Sequence, residues 1–175
     1  LLAAGATLAA ASDAGTEVRV VAVTDGEMSH PHLDDAGRRQ LVDRRLAETA
    51  AAYTAAGIVA DRHRLSLPDG DTTDHADRLV EGLLSILEGA AACLAPWEAD
   101  GHPDHDTCGR AALKACAVLE VPVFSFPVWS WNWDDPGNPA IPFDRAVRFP
   151  LLDQPDGAAW MARKMDSTRS AEAVS

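Results

Sequence analysis

The residues best suited to chemistry stand together in the segment Asp100-Gly101-His102-Pro103-Asp104-His105. His102 and His105 are three positions apart at the predicted start of a helix, where proline suits the first turn, so their side chains are neighbours. A neutral imidazole there can bind zinc, and a neighbouring carboxylate can orient a second imidazole for proton transfer. The alternative is a solvated helix start at which Asp104 complements the helix dipole. We favour a functional site because the segment directly follows a predicted strand.

Three polar segments, residues 24–27, 68–71 and 97–105, each follow a predicted strand. Ligands of open α/β sheets bind at the carboxyl ends of the strands. We therefore expect Asp25 and Asp69 to lie near His102 and His105 at one edge of the sheet.

The elements that must position these residues alternate between strands and helices. Apolar, β-branched runs predict strands over residues 18–24, 64–67, 91–95 and 121–126, with a fifth over 145–151. Helical spacing and cap residues predict helices that end at Ala14-Gly15, or cover residues 37–56, Asp74 to Gly89, 103–119 and 158–165. This order predicts a mainly parallel sheet with helices on both faces, which is a three-layer α/β fold.

Length and composition narrow the function classes. The 175 residues suit one domain, residues 1–175, and 15 Lys and Arg against 27 Asp and Glu give a net charge of −12. Such a chain is not expected to bind nucleic acid or an anionic membrane. Three cysteines without CxxC spacing favour a reducing, cytoplasmic location, and the apolar start lacks the positive region of a signal peptide. The oligomeric state is left open, a homo-oligomer included.

Several motifs in one order resemble the LmbE-like (PIG-L) family of zinc-dependent de-N-acetylases. They are Val-Thr-Asp-Gly-Glu (23–27), Arg-x-x-Glu (45–48), Leu-Pro-Asp-Gly (67–70), Pro-Trp-x-x-Asp-Gly-His-Pro-Asp-His (96–105) and the Trp-rich residues 127–133. The Gly-His-Pro-Asp-His element is the most specific of them. The resemblance covers residues 1 to about 165 and implies a Rossmann-like fold that hydrolyses an N-acetyl group, typically of an N-acetylglucosamine-type sugar.

The resemblance also implies roles for individual residues. His105 is similar to a zinc ligand of the family, and His102 to the histidine that polarises the tetrahedral intermediate and acts as general acid. Asp104 is similar to the carboxylate that orients that histidine. Of the expected substrate-binding residues, Arg45 resembles an arginine that contacts the sugar, Asp69 an acidic residue near the sugar hydroxyls, and Asp25 belongs to the Val-Thr-Asp-Gly-Glu motif.

The family's first motif, His-Pro-Asp-Asp-Glu, has no counterpart in this sequence. The resemblance implies that it supplies two zinc ligands and the aspartate base, and that it would precede Leu1. We therefore expect an N-terminally truncated domain with an incomplete zinc site and impaired activity, since a catalytic zinc normally has three protein ligands. His30-Pro31-His32-Leu33-Asp34-Asp35 contains similar residue types, but we expect its aspartates to begin a helix.

Two other function classes stay open at this level. One is a sugar-binding or regulatory remnant without catalysis, and the other is a different α/β enzyme such as a phosphatase or methyltransferase. The second lacks support because no Gly-rich phosphate loop follows the first strand. Trp129, Trp131 and Trp133 either wall a sugar pocket or pack under the long loop of residues 129–143.

Overall fold

The computed structural model describes residues 3–172, with side chains up to Arg169, and these residues form two compact units. The first unit comprises Leu1–His63 and Arg148–Ser175, and the second comprises Arg64–Val147. Leu1 and Leu2, at the start of the predicted first helix, lie outside the described residues. The single domain predicted over residues 1–175 stays a prediction.

Helices and short strands alternate along the chain, which confirms the mixed α/β class. Their bounds are α1 Gly5–Asp13, β1 Arg19–Ala22, α2 Asp35–Ala56, β2 Asp61–Arg64, α3 Ala76–Leu87, β3 Cys93–Pro96, α4 Pro103–Leu119, β4 Val123–Phe126 and α5 Gly157–Glu172. Strand β1 pairs with β2, and β3 pairs with β4 in parallel, with Cys93 opposite Val123 and Pro96 opposite Phe126. The three-layer arrangement stays a prediction.

The first unit is held together by helix packing around α2. The Asp34 carboxylate caps this helix by accepting a hydrogen bond from the Gly37 N–H at 2.8 Å, and Gly57 ends it in the left-handed conformation at φ 65°. Helix α5 packs on α2 and on α1. The core here consists of buried apolar residues from α1, α2 and the turn after it, namely Ala9, Ala56 and Ile58.

The second unit places two helices against each other beside the β3–β4 sheet. Helix α3 buries an apolar stripe at helical spacing, made of Leu79, Val80, Leu83 and Leu87. Helix α4 faces it with small side chains, which let the helices approach closely; the buried ones include Ala111, Ala112, Ala115 and Cys116. Because β3 and β4 are paired in parallel, they end next to each other at the same edge of the sheet. The loops after them contain Asp100, His102 and residues 127–133.

The predicted strands differ from the structure at two places. The second strand is Asp61–Arg64 instead of residues 64–67, because the Asp61 N–H pairs with the Val18 carbonyl at 2.8 Å and Ser66 adopts φ 48°, outside the β region. The predicted fifth strand over 145–151 is wrong. Short 3₁₀ turns, Phe143–Arg145 and Leu151–Asp153, flank residues 146–150, which have no regular secondary structure and end in Pro150, which has no N–H for a ladder.

Two helix predictions also need comment. Helix α3 begins at Ala76 after a 3₁₀ turn over Thr72–His75, so Asp74 lies in that turn and does not cap the helix as predicted. Helix α4 has the predicted bounds, residues 103–119. Among residues 3–172, no helix is both long and apolar enough to cross a membrane.

Candidate functional site

The start of helix α4 positions the two histidines. Pro103 occupies the first turn, and His102 is the capping residue, whose ring Nδ1 accepts a hydrogen bond from the Asp104 N–H at 3.3 Å. The rings of His102 and His105 stand 4.6 Å apart between centroids, inclined by 31°. The prediction that both imidazoles lie together at the helix start is confirmed.

A fully buried carboxylate, Asp100, lies beside His105. Its Oδ2 lies 2.6 Å from His105 Nδ1 and accepts from the Trp129 N–H at 2.7 Å. Its Oδ1 accepts from the N–H groups of Val128 and Ser130 at 2.8 and 3.0 Å and from the Ser130 hydroxyl at 2.7 Å. Every donor other than His105 comes from the loop after β4, so one carboxylate ties the loops after the two paired strands together.

The charge state of Asp100 follows from these bonds. Burial acts to raise the pKa of the carboxyl group, but hydrogen bonds from the backbone of Ser130, Trp129 and Val128 and from His105 outweigh it and hold the pKa well below its ordinary value. Asp100 is therefore an anion at neutral pH. A buried anion next to a partly exposed imidazole is the arrangement that orients a histidine for metal binding or proton transfer.

Two glycines let the backbone take this path. Gly101 adopts φ 86°, and a Cβ atom there would stand 2.6 Å from Trp133 Nε1, which donates to the Asp100 carbonyl at 2.8 Å. In helix α4, a Cβ atom on Gly109 would meet the Pro96 carbonyl oxygen at 2.6 Å. Helix α4 can lie against the end of β3 only because this position has no side chain.

Asp104 has different partners from those predicted. Its Oδ2 accepts from the Gly70 N–H at 3.0 Å, and its Oδ1 accepts from the Thr72 hydroxyl at 2.7 Å. The carboxylate thus anchors residues 70–72 to the start of α4, whereas the predicted bond was to the His102 ring. The anchor brings residues 70–72, which follow Asp69, to this helix; the position of Asp69 near the two histidines stays a prediction. A catalytic role for Asp104 stays a prediction.

Cys108, one turn further along α4, is not a thiolate at neutral pH. Burial, assisted by the negative charge of Asp104, raises the pKa of its thiol to about 12. Cys93 and Cys116 are buried, and burial raises the pKa of both thiols as well. All three cysteines are free, so imidazole and carboxylate groups carry the chemistry of this site.

The tryptophans of the 127–133 segment take different roles. Trp129 is half exposed, and its ring meets the His102 ring edge-on with centroids 5.7 Å apart. Trp133 stacks on Trp97 with ring centroids 6.4 Å apart, and its Nε1 donates to the Asp100 carbonyl. Trp131 is 64% exposed and contacts Phe143. Trp129 is thus the ring next to His102, whereas Trp133, which is 45% exposed, is fixed by its bond to the Asp100 carbonyl and by stacking on Trp97.

Arg45 and Asp25 belong to the first unit. Arg45 lies along Gly26, where a Cβ atom would be 3.3 Å from its Cδ, and its Nη2 donates to the Ser29 hydroxyl at 2.8 Å. Asp25 lines an open cleft of that unit, whose other lining residues are Glu27, Arg38, Arg39, Val42 and Asp43. The predicted neighbourhood of Asp25 and the two histidines stays a prediction.

The fit of these residues to a metal ion is partial. His105 has its Nδ1 bound to a buried carboxylate, which suits a zinc ligand. Within residues 3–172, however, no three His, Cys, Asp or Glu side chains come together as a metal would require. His30 and His32 are exposed and stand 5.9 Å apart between ring centroids. The described residues thus supply part of a zinc site and do not complete its coordination shell.

Asp100 lies within a recognisable motif, but the sequence alone predicted no role for it. The available signal was its position, in the loop that follows β3 and two residues before His102. Ser130 and Thr72 were missed altogether. Both are fully buried hydroxyls that donate to carboxylates of this site. Nothing in their local sequence distinguishes them, because their partners are about 30 residues away.

The sequence matches a known protein family. The family model described as "PIG-L: GlcNAc-PI de-N-acetylase" matches residues 1–116. No curated protein sequence matches the chain.

Solved structures share the fold at low sequence identity. The A40926 pseudoaglycone deacetylase is similar over 97% of this chain and 75% of its own, with 21% identity and a TM-score of 0.69. The N,N'-diacetylchitobiose deacetylase of Pyrococcus horikoshii matches over 99% of this chain and 66% of its own, with 21% identity and a TM-score of 0.65. A 4-carboxy-2-hydroxymuconate hydratase of Pseudomonas putida also matches, over 97% and 72%, with 18% identity and a TM-score of 0.64.

These structures include different reactions, so the shared fold alone does not fix the activity. The family assignment rests on the sequence match, which includes Asp100, the two histidines and all of helix α4 up to Cys116. The chain belongs to the PIG-L family.

Proposed function

We propose that this protein removes an N-acetyl group from an N-acetylglucosamine-type sugar or a conjugate of one. The observation that supports this most is the bond between buried Asp100 and partly exposed His105 beside His102, within the segment matched by the family model. Two of the similar structures are deacetylases by name, which agrees with amide hydrolysis.

The proposed division of labour follows from the ring contacts. His105 is the metal ligand, because its Nδ1 side faces Asp100 and its Nε2 side is left for an ion. His102 accepts the Asp104 N–H at Nδ1, so the neutral ring carries its proton on Nε2. That N–H can stabilise the developing oxyanion or protonate the leaving amine.

Zinc is the proposed cofactor, and its part is to polarise the acetamide carbonyl and to lower the pKa of bound water. Of the described residues, His105 is the one matched to a ligand of the family. The cytoplasmic location is part of the same proposal and is supported by the three free thiols.

Three further residues are proposed to bind the sugar. Asp69 precedes Gly70, whose N–H is bonded to Asp104 at the start of α4, so its backbone is fixed next to the histidine segment. Arg45 and Asp25 are proposed from the resemblance, and the close approach of Arg45 to Gly26 supports their acting together. Trp129 supplies an aromatic ring for the sugar face.

The test is release of acetate from N-acetylglucosamine and its conjugates in the presence of zinc. It compares the 175-residue chain with a chain extended at its N-terminus by the family's His-Pro-Asp-Asp-Glu segment. We expect low activity in the first and zinc-dependent turnover in the second. Absence of acetate from every N-acetylated amino sugar in both chains, with the fold intact by circular dichroism, contradicts the proposal.

The alternative function, sugar binding without catalysis, is favoured by one observation, the lack of a three-residue metal cluster within residues 3–172. Calorimetric titration with the same sugars distinguishes it. Saturable binding together with no acetate release from either chain supports the binding function over the enzyme.

A further inference from the structure

We propose that Asp100 is a positioning residue that sets the tautomer of His105, so that Nδ1 carries the ring proton and the Nε2 lone pair points away from the carboxylate. The inference deepens the proposed function, because it rests on His105 as the metal-binding imidazole. Asp100 lies in the family motif, but the roles that the resemblance implies for His102, Asp104 and His105 do not involve it.

Both oxygens of Asp100 accept hydrogen bonds from backbone N–H groups, and its Oδ2 also lies 2.6 Å from His105 Nδ1. Nδ1 must therefore be the donor. In a neutral imidazole the other nitrogen, Nε2, is then without a proton and can bind a metal ion.

Asp100 is held in place by its other hydrogen bonds. The N–H groups of residues 128–130 converge on its two oxygens, and the Ser130 hydroxyl adds another bond at 2.7 Å. The side chain is 0% exposed, so no bulk water can replace these partners. Rotation of the carboxylate would leave buried N–H groups without acceptors, each at a cost of about 1–3 kcal/mol.

The neighbouring ring, His102, is protonated on the other nitrogen. His102 accepts at Nδ1 from the Asp104 N–H, which can only donate. Two imidazoles 4.6 Å apart are therefore held in opposite tautomers. His105 presents a lone pair at Nε2 and His102 presents an N–H, which are the forms that a metal ligand and a proton donor need.

Asp100→Asn separates this role from simple packing. The amide oxygen can keep the three donors now on Oδ1, but the NH₂ group then replaces Oδ2 and the bond from the Trp129 N–H is lost. The NH₂ group must donate to His105 Nδ1, which moves the ring proton to Nε2. Asp104→Asn is the matched control, because the same chemical change lies one residue from His105 yet affects bonds to Gly70 and Thr72.

The experiment is long-range ¹H–¹⁵N correlation NMR of the histidine rings in the metal-free 175-residue chain in alkaline buffer, with His105→Gln used to assign the signal. We expect His105 to be protonated at Nδ1 in the wild type and in Asp104→Asn. In Asp100→Asn we expect the proton on Nε2. Ser130→Ala, which removes a donor from Oδ1 alone, should retain the wild-type tautomer.

Two results overturn the proposal: an Nε2-protonated His105 in the wild type, or an unchanged tautomer in folded Asp100→Asn. If Asp100→Asn does not fold, the wild-type spectrum still decides. The outcome is independent of turnover. An Nδ1-protonated His105 without acetate release refutes the proposed function and leaves the role of Asp100 intact. Acetate release together with an Nε2-protonated His105 supports the proposed function and refutes the role of Asp100.

Discussion

Two segments of this chain contain histidine, proline and paired acidic residues, and the structure treats them differently. Residues 100–105 pair His105 with a buried carboxylate, and the two rings stand 4.6 Å apart. Residues 30–35 leave His30 and His32 exposed and 5.9 Å apart. In this second segment, the exposed Asp34 side chain caps helix α2 by accepting from the Gly37 N–H. Both segments lie at the start of a helix, but the first is bonded to distant loops whereas Asp34 bonds within its own helix.

The difference lies in what comes from elsewhere in the chain. Asp100 receives its donors from residues 128–130, about 30 positions away, and Asp104 from Gly70 and Thr72. Asp34 bonds the N–H three residues along its own helix. The proposed functional segment is therefore distinguished by long-range polar partners of its two carboxylates, which a local motif cannot show.

The largest expected effect is on the free energy of unfolding of Asp100→Ala. The change removes a buried anion and leaves the N–H groups of residues 128–130 without acceptors, so we expect a loss of about 3–5 kcal/mol. Asp34→Ala, the matched change in the other segment, should lose about 1 kcal/mol as an N-cap. Urea unfolding followed by circular dichroism measures both. An equal decrease in the free energy of unfolding of both variants would contradict the difference between the two segments.

Glycines in the helix after each segment provide the next comparison. A Cβ atom on Gly109 meets backbone, the Pro96 carbonyl oxygen at 2.6 Å, whereas one on Gly37 meets the Leu33 side chain at 3.2 Å. We expect Gly109→Ala to lower the free energy of unfolding by about 1–3 kcal/mol through overpacking.

Gly37→Ala should be close to neutral, because the Leu33 side chain at 3.2 Å and the exposed Asp34 carboxylate at 3.3 Å can both shift, and alanine favours a helix by about 1 kcal/mol over glycine. Thermal unfolding midpoints of the two variants, measured in one buffer, give the comparison. A Gly109→Ala chain as stable as wild type would show that α4 does not depend on close contact with the end of β3.

The smallest expected effect is at the exposed histidines. His30→Ala and His32→Ala should each change the free energy of unfolding by no more than about 0.5 kcal/mol. The 175-residue chain should bind zinc weakly with or without them, because no metal cluster forms within residues 3–172. Equilibrium dialysis with zinc measures this. Tight stoichiometric zinc that disappears in His30→Ala would assign the metal to the segment we regard as structural.

The sequence was a good guide where local signals decide the structure. Pro103 and the spacing of small apolar residues predicted α4 with its bounds, and the two histidines were placed together at its start. Prediction was wrong for a strand over residues 145–151, because apolar alternation does not create a partner strand and Pro150 cannot donate to one.

The candidate site was predictable in its residue types and not in its bonds. His102 and His105 stand out by spacing, but the acceptor of His105 Nδ1 is Asp100, while Asp104 bonds Gly70 and Thr72. Which carboxylate reaches which ring depends on how loops from two strands meet. That geometry comes from the packing of β3, β4 and α4 as a unit.

The most direct test of the central claim is the turnover number for acetate release by the chain extended with the His-Pro-Asp-Asp-Glu segment. His102→Ala should lower kcat about 10²–10³-fold with zinc still bound, the size of effect seen when one oxyanion-stabilising donor is removed. His30→Ala is the matched control and should retain full kcat. If His102→Ala keeps the kcat of the unmutated chain, His102 has no part in catalysis and the account of this site is wrong.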